Sequence, residues 1–266
     1  MIRMYLTALG LSAPGLLGWT ASHPILTGQQ PYQPTALPTF SPRGILSANE
    51  CRRTTASIKL ALQVAQEAVA NTPLPVSQLS SVFASSDADL EIIDKICRTL
   101  TVPDRPVSPT DFHNSVHNAT AGYWTIGTTS DKLSTSLSAR EVTFAAGMLE
   151  AATLVTVENL PVLLVASDYP APSLLNEVCG IQVPFATALL LTPEPTAASR
   201  ASLTLQLTTQ QEETRLPQPD LEKLRLSSPA ARSLPLLQVL AKNIAGQSIL
   251  AYLSEQQLVI AVEPSV

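Results

Sequence analysis

The stretch Ser108 to Glu150, SPTDFHNSVHNATAGYWTIGTTSDKLSTSLSAREVTFAAGMLE, decides the fold. It holds two of the three histidines, His113 and His117, and one of the two tryptophans, Trp124. Asp111 is placed to cap a helix from about Phe112 to Gly127, with Val116, Thr120, Tyr123 and Trp124 sharing a face. A polar turn then leads to a short strand, Ser134 to Leu137, and an alanine-rich helix from about Glu141 to Val157. Ala145, Ala146, Gly147, Ala151 and Ala152 let another backbone approach that helix closely. Histidines, serines and a helix start gathered in one place make this the first candidate for a site.

Outward from it, strands and helices alternate. A strand from Met4 to Leu9 is followed by a turn at Gly10. The first 23 residues have the outline of a signal peptide, but Thr7, Ser12 and Pro14 interrupt the apolar run. No stretch approaches the ~18 uninterrupted apolar residues of a membrane span. Between residues 12 and 46, Pro14, Pro24, Pro31, Pro34, Pro38 and Pro42 argue against any helix or central strand and for a surface loop. Ser47 and Glu50 have capping-box spacing, and Ile58, Leu62, Ala65 and Val69 continue a helical repeat through Asn71. Val82 to Ser86 reads as a short buried strand, and Ser85, Ser86 and Asp87 supply caps for a helix of Leu90 to Leu100.

Beyond the opening stretch, Pro161 to Ala166 (PVLLVA) is an apolar run that belongs in a sheet covered on both faces. Phe185 to Leu191 and Leu203 to Leu207 are further strands. A polar linker from Thr208 to Pro219, a helix from about Ser233 to Asn243, and a hairpin of Ile249–Leu253 with Leu258–Val262 complete the chain. The alternation predicts an α/β layered fold.

With 266 residues, 45% hydrophobic and 14% charged, the chain can bury a large core as one domain. A net charge of -5, with no basic run longer than Arg52-Arg53, argues against a nucleic-acid partner. Cys51, Cys97 and Cys179 form neither a CxxC pair nor an even framework, which fits a reducing, cytoplasmic setting.

Two chemical readings of the central stretch fail on residue type. His113 and His117 are four apart, but HNSVH lacks the glutamate of HExxH and has no evident third ligand, so no metal is expected. Ser136 or Ser138 before a helix suggests a nucleophile, yet Thr135, Leu137, Ala139 and Arg140 stand where a nucleophile elbow wants glycines; a capping serine is the plainer reading.

The segment Asn118 to Ile126, NATAGYWTI, resembles the N-x-x-A-G-x-x-[ST]-I segment of β-ketoacyl synthases. MYLTALGL (residues 4–11) resembles the first strand of those enzymes, VFASSDAD (82–89) the strand and turn before their next helix, PVLLVASD (161–168) their buried strand, and VPFATALLLTPE (183–194) the strand that follows. The resemblance implies a thiolase-like layered fold, mainly its first half, a mixed sheet with helices on both faces. It implies a core over residues 1–207 and a shortened C-terminal extension over 208–266, within one domain of 1–266. Counting from Asn118 and back from Ala166 places the family's nucleophilic cysteine at Glu141. A ketosynthase needs a thiolate there, at a helix N-terminus that lowers its pKa. Glu141 cannot supply one, and none of the cysteines falls near this turn in sequence.

The HNSVHNATAGYW pattern looks most like the short ketosynthase-like proteins of bacterial aryl-polyene pathways, which resemble chain-length factors. The resemblance thus implies a non-catalytic subunit without cofactor. It would pair with an active β-ketoacyl synthase in a type II fatty-acid or polyketide system, meet acyl carrier protein only indirectly, and shape the acyl tunnel. Asp111, Phe112, His113 and Val116 would line or gate that tunnel, and Ser134, Thr135, Ser136 and Leu137 would form the edge that meets the partner. The alternative is a residual enzyme that decarboxylates malonyl-carrier protein, with Glu141 imitating the charge of a bound carboxyl.

Overall fold

The computed structural model describes residues 2–265. The predicted first strand is longer than Met4–Leu9: β1 runs Ile2–Ala13 and pairs back on itself through β2 (Leu16–Leu17). The proline-rich region is not all loop, because α1 (Trp19–Leu26) forms inside it despite Pro24. Pro24 removes one helical hydrogen bond, but Trp19, Ser22 and Leu26 are buried and hold the helix by packing rather than propensity.

The helix expected from Ser47 to Asn71 is two helices, α2 (Ala48–Arg53) and α3 (Ala56–Val69). Ser47 caps the first as expected, but Thr55 is extended and accepts from the Ile58 amide, starting a new helix just before the apolar repeat begins at Ile58. The next strand, β3, is Ser80–Ala84, and α4 spans Leu90–Leu100 as predicted, capped by Asp89 rather than by Ser85, Ser86 or Asp87.

The expected Phe112–Gly127 helix also divides, into α5 (Pro109–Asn114) and α6 (Ala119–Thr128). Ser108, not Asp111, caps the first, so Val116 falls in the break and does not share a helical face with Tyr123 and Trp124. β4 is Ser134–Leu137 as predicted. A 3-10 turn, Arg140–Val142, leads into α7 (Thr143–Thr156). The remaining elements are β5 (Val162–Asp168), α8 (Ser173–Cys179), β6 (Phe185–Thr192), β7 (Ala201–Thr209), α9 (Pro219–Arg225), α10 (Leu234–Lys242), β8 (Gly246–Leu253) and β9 (Gln256–Pro264).

The strands form one mixed sheet in the order β4-β3-β5-β6-β1-β7-β9-β8, with β2 attached to β1. β4, β3 and β5 are parallel, and every other pairing is antiparallel. All seven residues of β5 and all eight of β6 are buried, as their mostly apolar sequence requires of strands covered on both faces. α7 packs on one face against β5, β3 and β1, while α3 covers β1, β6 and β5 on the other, giving two hydrophobic cores. Gly147 is needed in α7, because the Cβ of an alanine there would stand 2.8 Å from the Cβ of Ala84 on β3. The last 60 or so residues continue the same sheet through β7 and β9, and Leu250, Leu258 and Ile260 enter the core beside α7.

Glu67 fastens the two faces together. Its carboxylate accepts from the Leu11 amide at 2.9 Å and the Trp19 amide at 2.5 Å, tying α3 to the end of β1 and the start of α1. Burial raises its pKa, against the two amides, which lower it. Glu67→Ala leaves both donors without a partner and is expected to cost about 2–4 kcal/mol, read from the urea midpoint. Glu67→Gln keeps one acceptor and should lose less; an alanine variant as stable as wild type would show that this clamp contributes nothing.

Candidate functional site

The chain ends of the parallel strands β3, β4 and β5 and the start of α7 define one end of the sheet, and the residues singled out from sequence gather around it in two places.

The first is the turn between β4 and α7. Arg140 carries the strain of this turn, with a left-handed φ of 52°, and its side chain is exposed. Such conformations are costly for a non-glycine residue and are characteristic of strand-to-helix turns that present a reactive group. Thr143 stabilises the turn: its Oγ1 accepts from the Ala139 amide at 3.0 Å and donates to the Arg140 carbonyl at 2.6 Å. Ser138 Oγ donates to the Ser86 carbonyl, so it is a tether and not a free nucleophile. Glu141 is exposed and pairs with Arg232 Nη2 at 3.1 Å. That pair borders a cleft of about 330 Å³ that Glu213 and Arg225 also line. Arg225 is buried and held at both ends by Glu222 and Glu213, and its bonds lower the Glu222 pKa.

Beneath the turn lies Asp168, the last residue of β5, which sequence reading took only as part of a strand. It is buried, and its Oδ1 accepts from the amide and hydroxyl of Ser86, both at 2.9 Å, while Oδ2 accepts from the Ala230 amide at 2.6 Å. Burial pushes its pKa up, and these bonds pull the other way. Cys179, remote in sequence, comes close enough to this turn for Asp87 and Arg140 to act on its thiol. Burial is the main cause of its raised pKa, Asp87 adds to it, and Arg140 only partly offsets them. A thiol with a raised pKa is the opposite of an activated nucleophile.

The second place is an open groove of about 550 Å³ on α5 and α6. Phe112 and Val116 line it, 69% and 50% exposed, with His113. His113 also meets Tyr123 edge to face, with ring centroids 6.1 Å apart. Asp111 does not face the groove: it is buried and pairs with Lys95 Nζ at 2.7 Å, fixing α5 to α4. Ile126 belongs to the groove and is 59% exposed. Its spacing from Ala119 and Gly122, i, i+3 and i+7 on one helical face, is the signal that could have found it. His117 turns inward, with Nε2 3.1 Å from the Ser85 carbonyl, and the helix break separates it from His113, so the two do not share a helical face. Among the described residues, no group of three or more His, Cys, Asp or Glu side chains is arranged to hold a metal ion.

α6 packs against β3 and β4, so the groove and the sheet edge lie on one side of the molecule. β4 is the terminal strand, with β3 its only neighbour among the described residues. Ser134 Oγ bonds Ser81 Oγ at 2.8 Å, Thr135 and Leu137 are half-buried, and the Ser136 hydroxyl is buried without a partner. No helix among the described residues is long and apolar enough to cross a membrane.

The chain is similar in structure to a chain of the ketosynthase (ApeO) in complex with its chain length factor (ApeC) from Xenorhabdus doucetiae, with a TM-score of 0.74, 20% identity, and 98% of this chain and 100% of that chain covered. It is similar to the ishigamide ketosynthase/chain length factor at a TM-score of 0.73 and 10% identity, covering 100% of both chains. Ketosynthase twelve of the bacillaene polyketide synthase of Bacillus amyloliquefaciens matches 78% of this chain but only 45% of its own, at a TM-score of 0.57 and 13% identity. A search of curated proteins finds no match. These likenesses establish the thiolase-like ketosynthase fold that the sequence resemblance implies. The family described as beta-ketoacyl synthase, N-terminal domain, matches residues 25–250, which contain the strained turn, the groove and the edge strand, and the chain belongs to that family.

Proposed function

We propose that the chain is a non-catalytic, chain-length-factor-like subunit that pairs with an active β-ketoacyl synthase in a type II polyketide or fatty-acid pathway, such as an aryl-polyene pathway. The observation that carries this reading is the turn before α7. Its backbone is left-handed at Arg140, and it presents Arg140 and an ion-paired Glu141 instead of a thiol. A covalent acyl transfer step requires a nucleophile at that point. The thiol of Cys179, on which Arg140 of this turn acts, has its pKa raised by burial.

The second support is the side of the molecule formed by β4 and the groove. A strand with an open edge invites pairing by another chain, and exposed Phe112, Val116 and Ile126 beside it form the apolar surface that a stable subunit contact buries. The solved complexes to which the chain is similar contain a ketosynthase together with a chain length factor, which agrees with this assignment.

Co-expression with a catalytic ketosynthase encoded nearby is the direct test. Both chains are expected to elute together in a stable heteromeric complex on size exclusion, with acyl-enzyme formation confined to the partner as read by intact-mass analysis. A monodisperse monomer that ignores the partner, or an acyl adduct on this chain, would remove the proposal's main support.

A further inference from the structure

Of the ten glycines, Gly122 alone has neither a left-handed backbone nor, beyond its chain neighbours and the local helix backbone, any heavy atom within 4 Å of the Cβ that an alanine would add. The contrast with Gly127, one and a half turns along α6, is instructive. A Cβ there would stand 2.9 Å from the Ile45 carbonyl oxygen, so packing within the chain accounts for that glycine. Nothing within the chain accounts for Gly122. It sits in the interior of a helix, where glycine is the least favourable residue after proline, and it lines the groove with Ala119, between the exposed side chains of Phe112, Val116 and Ile126.

We infer that Gly122 is an interface contact, at which the catalytic ketosynthase subunit packs directly on the bare backbone of α6. The inference rests on the partner-subunit reading above and adds to it where the partner makes its closest approach. Two features select a polypeptide of apolar character as the occupant. The groove is lined by no Asp, Glu, Lys or Arg, so it offers nothing to an acidic carrier protein, which lysines and arginines would recognise. The open edge of β4 on the same side needs backbone donors and acceptors, which another protein chain supplies and an acyl chain does not. Small helical residues permit such close contact, and a methyl group in a well-packed contact forces the surfaces apart.

Gly122→Ala separates the folding role from the binding role because the two effects have opposite signs. In the isolated chain, the substitution should raise the melting temperature by about 2 °C, from helix propensity alone. Titrated calorimetrically with the purified ketosynthase subunit that binds wild type, the same variant should associate about tenfold more weakly. A raised melting temperature with unchanged affinity overturns the inference while leaving the partner-subunit reading intact. A lowered melting temperature shows an intramolecular reason for the glycine and overturns it as well. If the isolated wild-type chain dimerises and Gly122→Ala breaks that dimer, the occupant is a second copy and the assignment to the ketosynthase fails. A wild-type chain that binds no ketosynthase takes down both readings.

Discussion

Replacing Asp168 by alanine is expected to cost about 3–5 kcal/mol, the largest stability loss of the substitutions considered, because it strips two buried amides of their acceptor and leaves the Ser86 hydroxyl only Asp87. The Ser86 amide, the Ser86 hydroxyl and the Ala230 amide all point at this carboxylate. Ser86 in turn accepts from Ser138, so the loss propagates to the turn that carries Arg140 and Glu141. Asp168→Asn keeps one oxygen acceptor but turns an amide N–H toward a donor, and it should fall between wild type and alanine. Urea denaturation gives the order directly, and equal midpoints for the aspartate and alanine forms would show that the carboxylate is not a tether.

The same group predicts a pH dependence. Burial raises the Asp168 pKa above its value of about 3.9 in an unfolded chain. The folded protein therefore binds more protons than the unfolded one between those two values. Stability contributed by this group is full below the unfolded pKa and declines as pH rises through the folded one. Glu67 has the same sign, whereas Glu222, whose pKa is lowered by Arg225, contributes stability above its unfolded pKa that is lost on acidification. The test is accordingly a difference: the stability gap between wild type and Asp168→Asn should narrow as pH rises from about 4 toward neutrality. A gap that widens over that range has the wrong sign for a carboxylate with a raised pKa.

Asp168 also marks how far the sequence could be read. The buried strand was legible from PVLLVA, because only a strand covered on both faces tolerates such a run, but it was read as ending at Ala166 and runs two residues further to Asp168. The edge strand β4 and helix α4 were placed within their observed bounds from turn residues and periodicity. Helix breaks at Thr54–Thr55 and around Ser115–Asn118 were missed for one physical reason. No glycine or proline marks either place, and the extended backbone of Thr55 and the hydrogen bond of His117 to the Ser85 carbonyl exist only in the folded chain. α1 was missed because burial of Trp19 and Leu26 overrides the penalty of Pro24. In the site, the resemblance pointed to the turn between β4 and α7, but no single-residue signal said that the left-handed backbone would fall on Arg140 rather than Glu141. None said that Asp111 would be drawn inward by Lys95, or that Cys179 would come within reach of the turn.

In a reconstituted complex with the catalytic ketosynthase, Phe112→Ala is expected to shift the product distribution toward longer acyl chains. Phe112 was equally readable from sequence as a core residue, in which case truncation would cost about 3–5 kcal/mol of stability. At 69% exposure it is not in the core, so the isolated variant should be as stable as wild type within about 0.5 kcal/mol. The ring stands at the groove beside Val116 and Ile126, where a partner's acyl pocket would meet this chain on the proposed reading. An aromatic ring there removes volume from the end of a tunnel, and alanine returns it. Val116→Phe adds bulk at the neighbouring position and should shorten products, so the pair of variants moves the distribution in opposite directions at unchanged stability. Mass spectrometry of carrier-bound products reads both. If Phe112→Ala weakens assembly without altering chain length, the ring is a binding anchor of the kind that dominates protein interfaces, and it does not reach the partner's acyl tunnel. If neither assembly nor length changes, Phe112 has no part in either.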